Sequence, residues 1–285
     1  MRVEDVVGAL FARVVDRWHE RRRSLQLLDL FVDSWVGRHV RSHSARGRPP
    51  LAGTARSEEA FLIPWEFLDN AQVPGSRVEL CLYRRGEEFS IRVDKSELMN
   101  SRVHGSEEAL ARIVCARLVD RPRPRVLIGG LGMGYTLAAA LRNLGPDGQV
   151  VVAELSPAVV RWNRGPLASL AGSPLEDRRV ILLEDAVGKV LQAEHGAYDV
   201  ILLDVDNGPE GLTRKGNDWL YARAGLAAAF AALRPAGVLS VWSAGPDRAF
   251  TQRLRWAGFR VDSLRVPAGP GACRQHTIWI ASRRM

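Results

Sequence analysis

The chain has 285 residues, 46% of them apolar and 25% charged, with a formal net charge of +8. This balance excludes a low-complexity or fibrous polymer and leaves a globular protein with room for one large domain and a smaller one. No run approaches the ~20 apolar residues of a membrane span, and the N-terminus interleaves Arg2, Glu4 and Asp5 with single hydrophobics, so the expected location is the cytoplasm, away from membranes.

Cys81, Cys115 and Cys273 are odd in number and far apart, which suits free thiols rather than a disulfide framework or a CxxC metal site. The positive charge invites a nucleic-acid reading. It is carried almost wholly by arginine, with only Lys95, Lys189 and Lys215, and it is scattered along the chain apart from a cluster from Arg21 to Arg48. Nucleic acid is therefore not the expected partner.

Residues 1–50 are expected to form a helical extension. Val6, Val7, Leu10, Phe11, Val14 and Val15 recur on one face, and Leu25 to Trp35 gives a second such stretch. The Gly-, Pro- and Arg-rich run from Ser42 to Glu59 is a linker pattern. A small β domain is expected over 51–104, because VELCLYRRGEEFSIRVD alternates in period two around an Arg-Arg-Gly-Glu turn. A helix should follow from His104 through Leu118, with Ser106 as its N-cap and Glu107 and Glu108 in its first turn.

The remainder, 105–285, alternates strand and helix patterns. Candidate strands are Arg125–Gly129, Gln149–Glu154, Arg179–Glu184, Tyr198–Asp204 and Gly237–Trp242, which imply a mainly parallel sheet covered on both faces. The last two, Phe259–Arg265 and Arg274–Ala281, are joined by too short a connection for a crossover helix and should pair antiparallel. The fold class is thus α/β, a Rossmann-like sheet of methyltransferase type: five parallel strands and a closing hairpin.

Four strand ends carry candidate chemistry. The first runs into Gly129, Gly130, Gly132 and Gly134, a turn that lets backbone approach a nucleotide but lacks the third glycine of GxGxxG. The second ends in Glu154, twenty residues past the last glycine, where an acid accepts from ribose hydroxyls. At the third, Asp185 is placed to accept from an adenine amino group beside the Ala186 backbone, or to cap a helix. The fourth, DVILLDVDNGPEGLT, gathers Asp204, Asp206, Asn207 and Glu210. Clustered acids repel unless a cation sits among them; a sulfonium and an amine are the cations that suit the site, and no metal is expected. Glu107, Glu108, Asn217, Asp218, Trp219 and Tyr221 are candidates to wall an acceptor channel, with core packing the other fate of the two aromatics.

From about Val78 to Ser282 the chain resembles the spermidine/spermine synthase (polyamine aminopropyltransferase) family. GGLGMG stands where the family has GGGDGG, VVVAEL where it has the strand with the ribose-binding acid, and RVILLEDA where it has the adenine-binding segment. LLDVDNGP is similar to its catalytic aspartate loop, and SRVHGSEEAL to the helix over the active site. The resemblance implies aminopropyl transfer from decarboxylated S-adenosylmethionine to a small amine or polyamine, release of methylthioadenosine, and a homodimer. It implies Asp204 as base with Asp206 as positioning acid, adenosyl contacts at Gly130, Gly132, Gly134, Glu154, Asp185 and Ala186, and substrate contacts at Asn207, Glu108 and Tyr221. Three departures stand out. The family's acid within GGGDGG falls on Gly132, its second loop aspartate has two candidates, and its last-hairpin tyrosine has no counterpart. A methyltransferase or an aminocarboxypropyltransferase using intact S-adenosylmethionine is the alternative. A non-catalytic adenosyl-, polyamine- or nucleic-acid-binding protein is the alternative of another class.

Overall fold

The computed structural model describes residues 63–93, 96–118, 120–205, 208–209, 218–269 and 272–284. The expected N-terminal helices, the linker, and Asp206, Asn207, Glu210 and Asn217 lie outside the described residues. Two sheets organise the rest. The period-two segment forms not one hairpin but a four-stranded antiparallel sheet of β1 (Glu66–Gln72), β2 (Glu79–Arg85), β3 (Glu88–Val93) and β4 (Ser96–Asn100), in that order. Arg85 pairs with Glu88, so Gly86 and Glu87 make the two-residue turn, and Gly86 supplies the positive φ (+59°) such a turn requires.

The larger sheet has seven strands: β5 (Arg125–Gly129), β6 (Gln149–Ala153), β7 (Val180–Leu183), β8 (Tyr198–Leu203), β9 (Leu233–Ser243), β10 (Arg260–Pro267) and β11 (Gln275–Ser282). Their spatial order is β10-β11-β9-β8-β5-β6-β7. The five strands from β7 across to β9 pair in parallel, and β11 runs antiparallel to both β9 and β10. Among the described residues, six helices longer than one turn accompany it: α1 (Gly105–Cys115), α2 (Tyr135–Asn143), α3 (Pro157–Arg164), α4 (Val187–Ala193), α6 (Arg223–Ala232) and α7 (Arg248–Trp256), with a single turn, α5 (Asp218–Tyr221), ahead of α6.

Alternate residues of each strand feed two separate cores, as a sheet buried on both faces requires. Val126, Ile128, Val150, Val152, Val200 and Leu202 pack with α1, α2, α3 and with Leu80, Leu82, Phe89 and Ile91 of the small sheet. Leu127, Val151, Ile201, Leu203 and Leu239 pack with α4, α6 and α7 on the other face. The small sheet is also tied down by polar contacts, since Asp69 accepts from Trp162 Nε1 at 2.7 Å and pairs with Arg161 at 3.6 Å.

The N-cap of helix α1 lies two residues before the expected Ser106. His104 is the N-cap and its ring stacks on Tyr135, centroids 4.0 Å apart. Ser106 lies inside the helix, its N–H donating to the Ala268 carbonyl at 3.3 Å. This seats the start of α1 on the loop that joins β10 to β11. Gly105 permits the approach, because a Cβ there would stand 3.1 Å from the Gly269 Cα.

Candidate functional site

Parallel register aligns the strand ends. Gly129 is level with Ala153 and with Leu203, and Ala153 is level with Leu183. The next residue on each strand therefore stands in one row, Glu184, Glu154, Gly130 and Asp204. β5 is flanked by β6 and β8, which makes it the point where strand order reverses, the usual place for a ligand in such sheets. Glu154 and Asp204 stand two strands apart, roughly 10 Å along the sheet edge. Short bonds hold the row. Gly130 N donates to Ala153 O, Glu154 N to Leu183 O and Asp204 N to Gly129 O, at 2.9, 3.0 and 3.0 Å.

The glycine turn is built to pass close to its neighbours. Gly130 has φ +89°, and a Cβ on it would meet the Asp204 carbonyl oxygen at 2.5 Å. Gly134, φ +86°, begins α2 in the left-handed region. Asn163, buried on α3, donates to the Gly132 carbonyl at 2.8 Å and so fixes the turn from the side. Gly130→Ala is expected to combine a strained left-handed alanine, about 1–3 kcal/mol, with a backbone collision. A lowered Tm together with loss of adenosyl-ligand binding in calorimetry would be the outcome.

Three contiguous cavities lie over the row. The first is lined by Gly130, Gly132, Glu154, Ser156 and Asp204, and roofed by the small sheet through Ile91, Leu98 and Met99. The second shares Gly130, Glu154 and Val205 with it and extends to Ala186, Gly188 and Trp219. The third shares Gly132, Met99 and Asp204 with the first and adds Glu107, Thr136, Tyr135 and Trp242. Asp204 thus stands at the junction between a glycine-and-acid cleft and a cavity holding another carboxylate.

Electrostatics distinguish these acids. Glu154 is buried and held at both oxygens, Oε2 accepting from Leu131 N at 2.9 Å and Oε1 from Ser156 N at 2.7 Å. Asp204 Oδ2 accepts from Thr136 Oγ1 at 2.5 Å; burial pushes its carboxyl up to about 6, against the opposing pull of that bond. Glu107 goes higher, to about 7, chiefly through burial and then through the charge of Asp204. Burial, with smaller help from Glu107 and Glu108, raises the Tyr135 phenol to about 12. The third cavity therefore offers two carboxyls that exchange protons near neutrality, beside phenol and indole rings.

The structure brings together Gly130, Gly132, Glu154, Ala186 and Asp204, and it separates others. Asp185 lines none of the three cavities; the Lys189 ammonium at 2.9 Å and the Ala186 N–H at 2.8 Å keep its carboxyl below the usual range. Gly134 serves α2 and packs on Asn163 and Pro174 rather than lining the three cavities. Glu108 is displaced from the expected role: it turns to Arg142 (3.2 Å) and His104 (3.5 Å), leaving Glu107 to face the cavity. Successive helix residues point about 100° apart, so only one of the pair can. Tyr221 is buried against Phe250 in the second core, with its hydroxyl bracing the Val205 carbonyl at 3.1 Å. Trp219 walls the Ala186 side of the cleft rather than the acid-lined cavity. Thr136, Met99 and Asn163 have no signal in the sequence and reach Asp204 or the glycine turn from α2, β4 and α3, while His276 reaches Glu107 only through Ser106. Among the described residues no three His, Cys, Asp or Glu side chains form a metal-type cluster, and no helix is long and apolar enough to cross a membrane.

No family model matches the chain. Over 129 residues, 44% of its length, it is 30% identical to Putrescine N-methyltransferase 4 of Nicotiana tabacum, and it spans about a third (32%) of that protein. Among solved structures it superposes on spermidine synthase from Thermotoga maritima with a TM-score of 0.61 at 17% identity, covering 76% of this chain and 72% of that one. A spermidine synthase in complex with the transition-state analogue AdoDATO gives 0.60 at 16%, with the same coverage. A probable spermidine synthase from Corynebacterium glutamicum gives 0.54 at 14%, covering 76% and 79%. The chain resembles the spermidine synthases in its motifs and has their fold, a methyltransferase-type α/β sheet behind a small antiparallel one.

Proposed function

We propose that this protein transfers an alkyl group from an adenosyl sulfonium to a small amine or polyamine, the group being the aminopropyl of decarboxylated S-adenosylmethionine. One observation carries the proposal: Asp204, bonded to Thr136, stands where the cleft containing Glu154 meets the cavity containing Glu107. The residues fit an adenosyl group. Glu154 is anchored with its carboxylate at the cleft, and the Gly130 backbone leaves the space a side chain would fill. The names of the similar proteins, a putrescine methyltransferase and spermidine synthases, support the same substrate class.

The chemistry is an in-line displacement. The amine lone pair forms an N–C bond as the C–S bond breaks, its electrons pass to sulfur and leave a thioether, and one amine proton must go. Only the neutral amine attacks. Taking lysine's ~10.4 as a guide, neutralising it at pH 7 costs about 4–5 kcal/mol. Asp204, ionised and hydrogen-bonded in place by Thr136, receives that proton, and its raised pKa makes it a better acceptor than an exposed aspartate. Glu107 holds the ammonium form that arrives first. Asp206 is the positioning acid of the same loop and Asn207 a substrate contact in this proposal, and Asp185 with Ala186 reads the adenine edge.

Both carboxyls must be ionised to bind and deprotonate a cation. kcat/KM is expected to rise through pH 6–7 as Asp204 and Glu107 lose their protons, with a limb steeper than one proton. A pH profile with a flat acid side down to pH 5 would remove the two-carboxylate site.

A second reading, methyl transfer to the same amine, has one observation in its favour. A Cβ at Gly132 would stand 3.2 Å from Met99 Cε, so Met99 fills the space beside the turn where an acid would meet a donor's amino tail. Incubation with decarboxylated and intact S-adenosylmethionine and a panel of diamines separates the two. Methylthioadenosine released from the decarboxylated donor supports aminopropyl transfer, whereas S-adenosylhomocysteine released from the intact donor overturns it in favour of methyl transfer.

A further inference from the structure

Ser106 is completely buried, and its Oγ lies between two partners, Glu107 Oε2 at 2.6 Å and His276 Nδ1 at 2.9 Å. His276 comes from β11 and is 6% exposed; its other nitrogen, Nε2, is buried with no hydrogen-bond partner among the described residues. The Trp242 ring lies edge-on to it at 4.7 Å. A serine hydroxyl has one hydrogen, so the two contacts cannot both be donations.

We propose that Ser106 and His276 are positioning residues for Glu107, linked to it in a hydrogen-bonded chain whose direction reverses when the carboxyl gains a proton. With Glu107 ionised, Ser106 donates to it and accepts from His276 Nδ1–H, leaving Nε2 bare. With Glu107 protonated, Glu107 donates to Ser106, Ser106 donates to Nδ1, and the imidazole carries its hydrogen on Nε2. The two states differ by one proton. It enters at Nε2 while the Nδ1 hydrogen passes to Ser106 and the serine hydrogen to Glu107. Because Nε2 has no partner of its own, Ser106 alone selects the tautomer.

The imidazole stays neutral in both states. Burial, and then the charge of Arg274, lower its pKa to about 4. Among the described residues, the charged and titratable groups around these three side chains are few. Asp204 at the end of β8 and Glu108 on α1 act on Glu107; Tyr135 of α2 senses both glutamates; His104 stacks on Tyr135 and pairs with Glu108; Arg274 faces His276. None of them bridges Ser106 and His276. The consequence for the amine site, which rests on the transfer reaction proposed above, is that Glu107 at the cavity keeps a hydrogen bond to Ser106 in either protonation state.

The test follows the imidazole directly and needs no turnover. In histidine-15N-labelled full-length protein, with His276 assigned by a His276→Gln variant, two-bond 1H–15N spectra are recorded from pH 5 to pH 9. The expected result is a neutral ring throughout, in the Nδ1–H form at pH 9 and the Nε2–H form at pH 5, with the exchange abolished in Glu107→Gln. An imidazolium in this range, or one tautomer at every pH, overturns the proposal. A second arm uses Ser106→Ala, which removes a bond that favours ionised Glu107. The acid limb of kcat/KM should then move up by about one pH unit, and an unmoved limb overturns the positioning role. If no amine is alkylated under any condition, the transfer reaction fails, and the tautomer measurement still decides the chain.

Discussion

Asp204→Asn is expected to lower kcat by about 10³-fold or more while adenosyl-ligand affinity stays within a few-fold. The magnitude follows from what is lost. A positioned general base contributes roughly 10²–10⁴, and the asparagine also withdraws one of two negative charges from an amine that must be captured as a cation. The ligand cleft should survive, because an asparagine carbonyl still accepts from Thr136 Oγ1 and the Asp204 backbone bond to Gly129 is untouched. Calorimetry with methylthioadenosine beside steady-state kinetics separates the two effects; full turnover by this variant removes Asp204 from the mechanism.

The same substitution has an opposite effect on stability, and its sign is fixed by linkage. The Asp204 carboxyl titrates at about 6 in the folded protein against an ordinary 3.8. A folded state that holds its proton more tightly is favoured below pH 3.8, and that advantage is lost as pH rises through 6. Above pH 6 the buried charge is a cost, which the neutral asparagine avoids. The variant should melt several degrees higher than the parent at pH 8, with the gap closing toward pH 5. A lower melting temperature at pH 8 would mean that the carboxylate is stabilised by something other than the groups described. Glu107, raised to about 7 by burial and by Asp204, contributes in the same direction, so the site is a place where stability is given up for two poised carboxylates.

The sheet was legible because its signals are local. Arg125–Gly129 stops at a glycine as expected, and Tyr198–Leu203, buried at every position, stops one residue short of the expected Asp204. β9 instead begins at Leu233 rather than Gly237, since Tyr198 on the neighbouring strand pairs back to Leu233 across an irregular register. The edges of the small sheet left no alternation to read. β1 is EFLDNAQ and β4 is SELMN, and their strand character comes from pairing with β2 and β3 rather than from a buried face of their own. At the site, Glu154 and Asp204 were legible because a charged residue ends an apolar strand. Thr136, His276 and Met99 were not, because each is ordinary for its own element and gains its role from docking: α2 over β8, the last hairpin under α1, and β4 over the glycine turn. The choice between Glu107 and Glu108 depends on helix phase, which is set by the seating of Gly105 against Gly269.

Glu154→Ala should weaken methylthioadenosine binding by about 100-fold or more and lower the melting temperature even without ligand. The two losses have separate sources. Glu154 Oε2 accepts from Leu131 N in the glycine turn and Oε1 from Ser156 N at the start of α3, so alanine strands two buried N–H groups. Each such loss costs about 1–3 kcal/mol, which accounts for the stability change. The affinity change comes from the ribose hydroxyls, whose donations to a charged carboxylate are worth about 1.5–3 kcal/mol apiece. Glu154→Gln separates them further. Its carbonyl keeps one backbone N–H satisfied, but its amide turns a donor toward the other, so an intermediate melting temperature and an affinity loss of about tenfold are expected. If the alanine variant melts lower yet binds methylthioadenosine as tightly as the parent, the acid is only a brace between turn and helix. The adenosyl group would then have to be held by the glycine turn and the Ala186 side of the cleft alone.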